Sequence, residues 1–272
     1  MNPFQDLLAA RGSRVPIGTW IMSASPIVAE AIGHAGFAWG VVDMEHTPLD
    51  MMDVVHLLQA IGNTKMLPVV RVPWNDTVTI KRVLDAGAKT LLVPFVQNAD
   101  EAARAVAAMR YPPEGIRGMA GMSRASHFGT LNNYVKVANQ SMGTIVQLET
   151  PDAMSQLEAI AAVPGVDALF LGPADLSASM GLVGALTHPD VMKVMANAVR
   201  RCKAVGKPVG TVGGSPEVVA QYRAMGFDYV AIGSDLGILM KGAQAAVKAL
   251  TSSNDVVPMS TPDGSTTVAG GY

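Results

Sequence analysis

The chain is poor in several things, and each shortage excludes something. It has a single cysteine, Cys202, in 272 residues, so no internal disulfide framework can brace it. Cys202 falls in a helical pattern and reads as a small apolar filler. Charged residues make up only 15% of the chain, 20 basic against 22 acidic, for a net charge of −2 and no block of one sign. That excludes the electrostatic footprint of a nucleic-acid binder or of a protein held on an anionic membrane. No apolar run is long enough to span a bilayer, and no basic segment leading into an apolar one follows Met1. A soluble cytoplasmic protein is the expectation. The phosphate fingerprint Gly-x-Gly-x-x-Gly is also missing after the first strand, where "GTWIMSAS" stands instead. Its absence counts against an open, doubly wound nucleotide-binding sheet.

Apolar residues, by contrast, form 49% of the chain, enough for a large core covered on both faces. Short apolar runs alternate with amphipathic segments almost from end to end. The pattern predicts strands at Ile17–Ile21, Ala38–Asp43, Met66–Val72, Thr90–Phe95, Thr144–Glu149, Ala168–Leu171, Pro208–Val212 and Tyr229–Ile232. It predicts helices at Pro26–His34, Asp50–Ile61, Thr77–Ala86, Ala99–Met109, Pro151–Ala161, Pro189–Val205, Pro216–Met225 and Leu236–Leu250. Several open on proline after Ser, Thr or His, and glycines such as Gly62 and Gly226 sit where helices should stop. Eight of each, without a linker, predict an α/β protein: a single (β/α)8 TIM barrel over residues 1–250. A polar, Ser/Thr/Gly-rich tail, expected to be poorly ordered, fills 251–272. The long irregular segment Tyr111–Asn132 is expected on the carboxyl side of the sheet.

In such a barrel the carboxyl ends of the strands converge on one mouth. Those ends carry Trp20, then Asp43, Glu45 and His46 in "VVDMEHTPLD", then Arg71, then Gln147 and Glu149 in "VQLET", and Asp175 in "LGPADLS". The opposite ends carry Lys65, Lys89 and Lys207. A Schiff-base enzyme needs a desolvated lysine at the mouth, and the pattern puts none there. Glu149 and Asp175 instead make a hard, oxygen-rich pair suited to Mg²⁺ or Mn²⁺, with Glu45 as a third ligand or acting through a water. The alternative for Asp175 is a helix cap. His46 is of the residue type best suited to proton transfer near neutral pH. Arg71 could form a fork for a carboxylate or an oxyanion, or simply pair with Asp43 or Glu45.

The segments "VVDMEHTPLD", "PVVRVPWND", "KRVLDAGAKTLLVPFVQNADEA", "RYPPEGIRG", "VQLETPDA" and "LGPADLSASMG" occur in the order and near the spacing of the HpcH/HpaI aldolases. From about Phe4 to Leu250 the chain resembles that family of class II, metal-dependent pyruvate aldolases. The resemblance implies a barrel whose last helix is exchanged between subunits of a homohexamer, a trimer of dimers. It also implies a divalent metal (Mg²⁺ or Mn²⁺, with Co²⁺ a further option) and no organic cofactor. The substrates implied are a 2-oxo acid, pyruvate or hydroxypyruvate, and an aldehyde. By similarity His46 matches the general base and Arg71 the transition-state stabiliser. Glu149 and Asp175 match the metal ligands, and Gln147 and the backbone at Ala174 match the pyruvate contacts. Asp85 matches a carboxylate that raises the basicity of the histidine and that can reach a neighbouring subunit's site. Asp43 and Glu45 are expected to orient the base and the metal's waters, and Trp20 to line the substrate pocket.

Two stretches depart from the family pattern: "GMAGMSRASHFG" is about one residue short, and "GTVGG" is unusually small and glycine-rich. Both are expected to bear on the aldehyde. Oxaloacetate decarboxylation or a macrophomate synthase-like reaction would use the same chemistry, and a non-catalytic 2-oxo-acid binding protein is the remaining alternative.

Overall fold

A computed structural model describes residues 2–251; the expected tail lies outside the described residues apart from Thr251. Eight parallel strands close into a barrel in sequence order: β1 (Ile17–Ile21), β2 (Trp39–Asp43), β3 (Leu67–Arg71), β4 (Thr90–Val93), β5 (Gly143–Leu148), β6 (Ala168–Leu171), β7 (Val209–Gly213) and β8 (Tyr229–Ser234). The expected (β/α)8 TIM barrel is therefore present. Around it run α1 (Pro3–Ala10), α2 (Pro26–His34), α3 (Met51–Ile61), α4 (Thr77–Asp85), α5 (Ala99–Met109) and α6 (Tyr134–Val137). They are followed by α7 (Pro151–Ser155), α8 (Leu157–Ala161), α9 (Pro173–Ser179), α10 (Pro189–Ala204), α11 (Pro216–Met225) and α12 (Asp235–Thr251).

Local chemistry starts these helices. The side chains of Ser25, Asp76, Asn98, Thr150 and Ser215 each accept a backbone N–H from the first turn that follows. Proline fills the first position of α2, α7, α10 and α11, where its missing N–H costs nothing. The sequence pattern does not predict α1 or the seven-residue α9, and the helix expected over Pro151–Ala161 is split at Gln156.

Large aromatics fill the barrel interior. Phe4, from α1, lies edge-on to Tyr229 at 5.1 Å and 83°, and Tyr229 lies edge-on to Trp39 at 5.5 Å. Because Tyr229 opens β8, Phe4 plugs the amino end of the barrel. Asn2 fixes that plug by donating to the Met142 carbonyl at 3.1 Å and to Asp167 at 2.9 Å. Room for the rings comes from small neighbours: a Cβ on Gly210 would stand 2.2 Å from the Tyr229 ring. A second, larger core of aliphatic side chains lies between the strands and the helices.

The segment Tyr111–Asn132 is not on the carboxyl side. Each helix runs back against the preceding strand, so a connection from α5 to β5 emerges at the amino end. Its contacts agree, since Arg124 Nη1 donates to the Ala86 carbonyl and Arg117 Nη2 to Asp85, both at the far end of α4.

Candidate active site

β2 and β3 pair in register so that Asp43 and Arg71, the last residue of each, are neighbours at the mouth. Asp43 is fully buried and Arg71 nearly so. Their contact is a bidentate fork, Nε to Oδ1 and Nη2 to Oδ2, both at 2.8 Å. Arg71 Nη1 also lies 2.9 Å from Glu45 Oε2. That approach is an ion pair, but it is out of line for a hydrogen bond, so the buried Oε2 keeps no hydrogen-bond donor. Both options raised for Arg71 as a structural cation are thus realised together. Burial alone would lower the guanidinium's pKa, yet the bonds and charges of Asp43, Glu45 and Glu149 outweigh it and hold Arg71 above its ordinary value. Burial raises the Glu45 carboxyl, against the pull of Arg71.

His46 follows on the turn and is largely exposed, with Nε2 3.8 Å from Glu45 Oε2. Glu45 is therefore the carboxylate beside the imidazole. Asp43 is committed elsewhere, to Arg71 and to the Glu45 N–H at 3.0 Å. Trp20 is buried rather than lining an open pocket: its ring lies under the Arg71 guanidinium, 5.5 Å from ring centroid to Cζ, as a cation–π floor.

Across the mouth, Glu149 leaves the end of β5 almost fully buried. Its Oε1 accepts the Phe95 N–H at 2.9 Å and its Oε2 accepts Gln147 Nε2 at 2.5 Å. Burial first, then the nearby charges of Asp175 and Glu45, push this carboxyl up to about 7 despite the Gln147 and Phe95 bonds. Asp175 is in the first turn of α9, exposed beside Ala174. The N–H groups of that turn have no intrahelical acceptor. Glycine is required just before them, because a Cβ on Gly172 would stand 2.5 Å from Glu149 Oε2.

A hard divalent cation fits these residues. The mouth crowds carboxylates that raise one another's pKa, and Gln147 Oε1 is buried with no donor. Among the described residues no group of three or more His, Cys, Asp or Glu side chains could hold a metal, so Glu45 does not complete a trio. Two carboxylates are what this chain offers, leaving the remaining positions to water and substrate oxygens.

Asp85 ends α4 at the amino end of the barrel, where it pairs with the buried Arg117 at 2.6 Å, so it does not reach this chain's own mouth. Lys241 on α12 reaches the rim and donates to the Gly214 carbonyl at 2.8 Å. It is exposed there, unlike a Schiff-base lysine. Phe95 is the residue that strand-end logic missed as a contributor. It was assigned to β4, but the strand stops at Val93 and Phe95 turns with φ of 54°. No glycine or asparagine marks that turn. The rim at the ends of β7 and β8 carries Gly213, Gly214, Ser215, Gly233 and Ser234, small residues without charge, followed by Asp235, whose oxygens accept the Met22 and Ser23 N–H groups.

A family profile described as HpcH/HpaI aldolase/citrate lyase matches residues 16–242. A Pseudomonas putida protein named 2-dehydro-3,6-dideoxy-6-sulfogluconate aldolase is 51% identical over 235 residues, covering 86% of this chain and 92% of its own. A Salmonella heidelberg protein named 4-hydroxy-2-oxo-heptane-1,7-dioate aldolase is 46% identical over 245 residues, covering 90% and 92% respectively. Among solved structures, an HpcH/HpaI aldolase/citrate lyase family protein from Burkholderia cenocepacia superposes with a TM-score of 0.89 at 40% identity. That likeness covers 92% of this chain and 100% of the other.

Proposed function

The chain belongs to the HpcH/HpaI aldolase/citrate lyase family, and on that premise we propose how this aldolase works and on what. It reversibly cleaves a 4-hydroxy-2-oxo acid to pyruvate, or hydroxypyruvate, and an aldehyde. The observation that carries the proposal is the mouth opposite His46. There the buried Glu149, doubly hydrogen-bonded, stands near Asp175 and an unpartnered Gln147 Oε1. Glu149 and Asp175 would hold Mg²⁺ or Mn²⁺, with Co²⁺ an alternative. When bound, such a cation supplies Lewis-acid stabilisation of the charge that develops on the substrate's 2-oxo group.

The chain's own groups supply the rest. His46 takes the 4-hydroxyl proton, the hydroxyl oxygen becomes the aldehyde carbonyl, and the C3–C4 electron pair stays on the pyruvate fragment. The same imidazolium then returns the proton to C3. Arg71, fixed by Asp43 and floored by Trp20, faces the developing oxygen charge with N–H groups that Asp43 does not use. Gln147 and the Ala174 N–H orient the 2-oxo acid, and Glu45 orients His46. Asp85 takes part only from a neighbouring subunit.

We extend the proposal to a cytoplasmic homohexamer in which α12 packs on a partner. Only Asp235 of α12 is buried, while Leu239, Met240 and Val247 are more than half exposed, which supports a partner there. No described helix is long and apolar enough to cross a membrane.

Pyruvate release from a panel of 4-hydroxy-2-oxo acids, and from oxaloacetate, tests the reaction. Activity should depend on Mg²⁺ or Mn²⁺ and disappear in EDTA. His46→Ala should lose most turnover but bind Mn²⁺ normally. Full activity in EDTA with borohydride trapping would refute the metal mechanism, and a fast His46→Ala enzyme would refute the base.

A further inference from the structure

The loop after β4 does something that neither the strand ends nor the family resemblance assigns. Phe95 has φ of 54°, in the left-handed region that aromatic side chains avoid. Such a backbone persists only where its surroundings hold it, and it gathers at functional sites. Here it turns the Phe95 N–H onto Glu149 Oε1 at 2.9 Å. The next N–H, from Val96, bonds the Gln147 carbonyl at 3.0 Å. Thr150 Oγ1 donates to Gln97 Oε1 at 2.5 Å, so the loop is stitched to Gln147, Glu149 and Thr150 around the end of β5.

The turn is braced from its other side. The Phe95 ring stacks on Trp74 at 5.7 Å and 28°, and Asn75 Nδ2 ties the Trp74 loop to the Glu101 carbonyl at 2.9 Å. Both rings are substantially exposed, 55% for Trp74 and 40% for Phe95, so core packing does not explain the pair.

We infer that Phe95 is a positioning residue for the metal site: its left-handed backbone aims an N–H that fixes the Glu149 carboxylate, and the Trp74 stack holds that turn. With Gln147 Nε2 on the other oxygen, each Glu149 oxygen has one donor and a lone pair left for a cation. The inference rests on Glu149 being a metal ligand, as proposed above. It assigns the turn at Phe95 to metal affinity: the stack holds a φ that a phenylalanine side chain opposes, and a residue that accepts that φ does without it.

The signature is dependence on backbone tolerance instead of side-chain size. Phe95→Gly and Phe95→Asn accept a positive φ and keep the N–H, whereas Phe95→Val opposes it. Direct Mn²⁺ titration, followed by the electron paramagnetic resonance of the free ion, should show Gly and Asn variants close to wild type. The Val variant should bind about 10-fold or more weakly, the usual scale for losing a partner of a metal ligand. Its kcat should return at saturating Mn²⁺, a split that general misfolding would not give. If Phe95→Val does not fold, Phe95→Ala, with a milder penalty at the same φ, carries the comparison. Wild-type Mn²⁺ affinity in the Val or Ala variant, or equal weakness in the Gly and Asn variants, overturns the inference. Glu149→Gln is titrated alongside: if it binds Mn²⁺ like wild type, the ligand assignment itself fails, whereas its loss with a flat Phe95 series sinks only the role of Phe95.

Discussion

Replacing Arg71 by Met isolates what the fork at the mouth does for the fold. Asp43 has no exposed surface, and with the fork gone it is left with the Glu45 N–H as its donor. Stranding one member of a buried ion pair costs about 3–5 kcal/mol. A loss of about 3–5 kcal/mol at pH 7 follows, which lowers Tm by roughly 6–20 °C for a chain of this size. Urea unfolding of wild type, Arg71→Met and Asp43→Asn/Arg71→Met at one protein concentration measures this. The double variant should recover most of the loss, because it no longer strands a buried charge. A deficit below about 1 kcal/mol in Arg71→Met, or a double variant as unstable as the single one, would refute the reasoning.

Three further outcomes are expected. Gly172→Ala puts a Cβ 2.5 Å from Glu149 Oε2, so Mn²⁺ affinity should fall about 10-fold or more while the fold, followed by circular dichroism, survives. Burial would raise the Asp228 carboxyl, but bonds from Lys203, Arg11 and the Val209 N–H outweigh it and hold it below the usual range. A group depressed in the folded state stabilises above its unfolded pKa. The gap between wild type and Asp228→Asn, roughly 2–4 kcal/mol at pH 6, should therefore close as pH falls below about 4 in urea titrations. Burial, with help from Asp228, pushes the Cys202 thiol up to about 12, so a thiol reagent at pH 8 should label it only at the rate of unfolding.

Much of this was legible in the residues. Alternating apolar runs set the barrel, and the asymmetry between acidic strand ends and basic strand starts set which end holds chemistry. What failed has physical causes. Tyr111–Asn132 was put at the wrong end because periodicity identifies elements, whereas the side of a connection depends on chain direction. α9 is too short for a helical period to declare itself. Asp85 lies on a helix end that no strand-end logic visits, and its observed partner, Arg117, is 32 positions away. Phe95 is hidden by its type: an apolar aromatic closing "TLLVPF" reads as more strand, although Pro94 before it marks the strand's end, and the bond to Glu149 and the stack on Trp74 hold the turn.

The acidic groups of the candidate site occupy one arc of the rim, from β2 through β5 to the first turn of α9. The arc from β7 to β8 is made of small uncharged residues up to Ser234, with Lys241 held against it and Asp235 committed to the Met22 and Ser23 N–H groups. A barrel divided this way separates chemistry from selectivity along its circumference. Gly214, between the buried Gly213 and the α11 cap Ser215, is where a side chain can be added without touching the fork at Arg71 or the ligand at Glu149. Such modularity gives a lineage a route to new aldehydes that leaves the bond-breaking step intact, and it marks that arc as the place to begin a directed-evolution library.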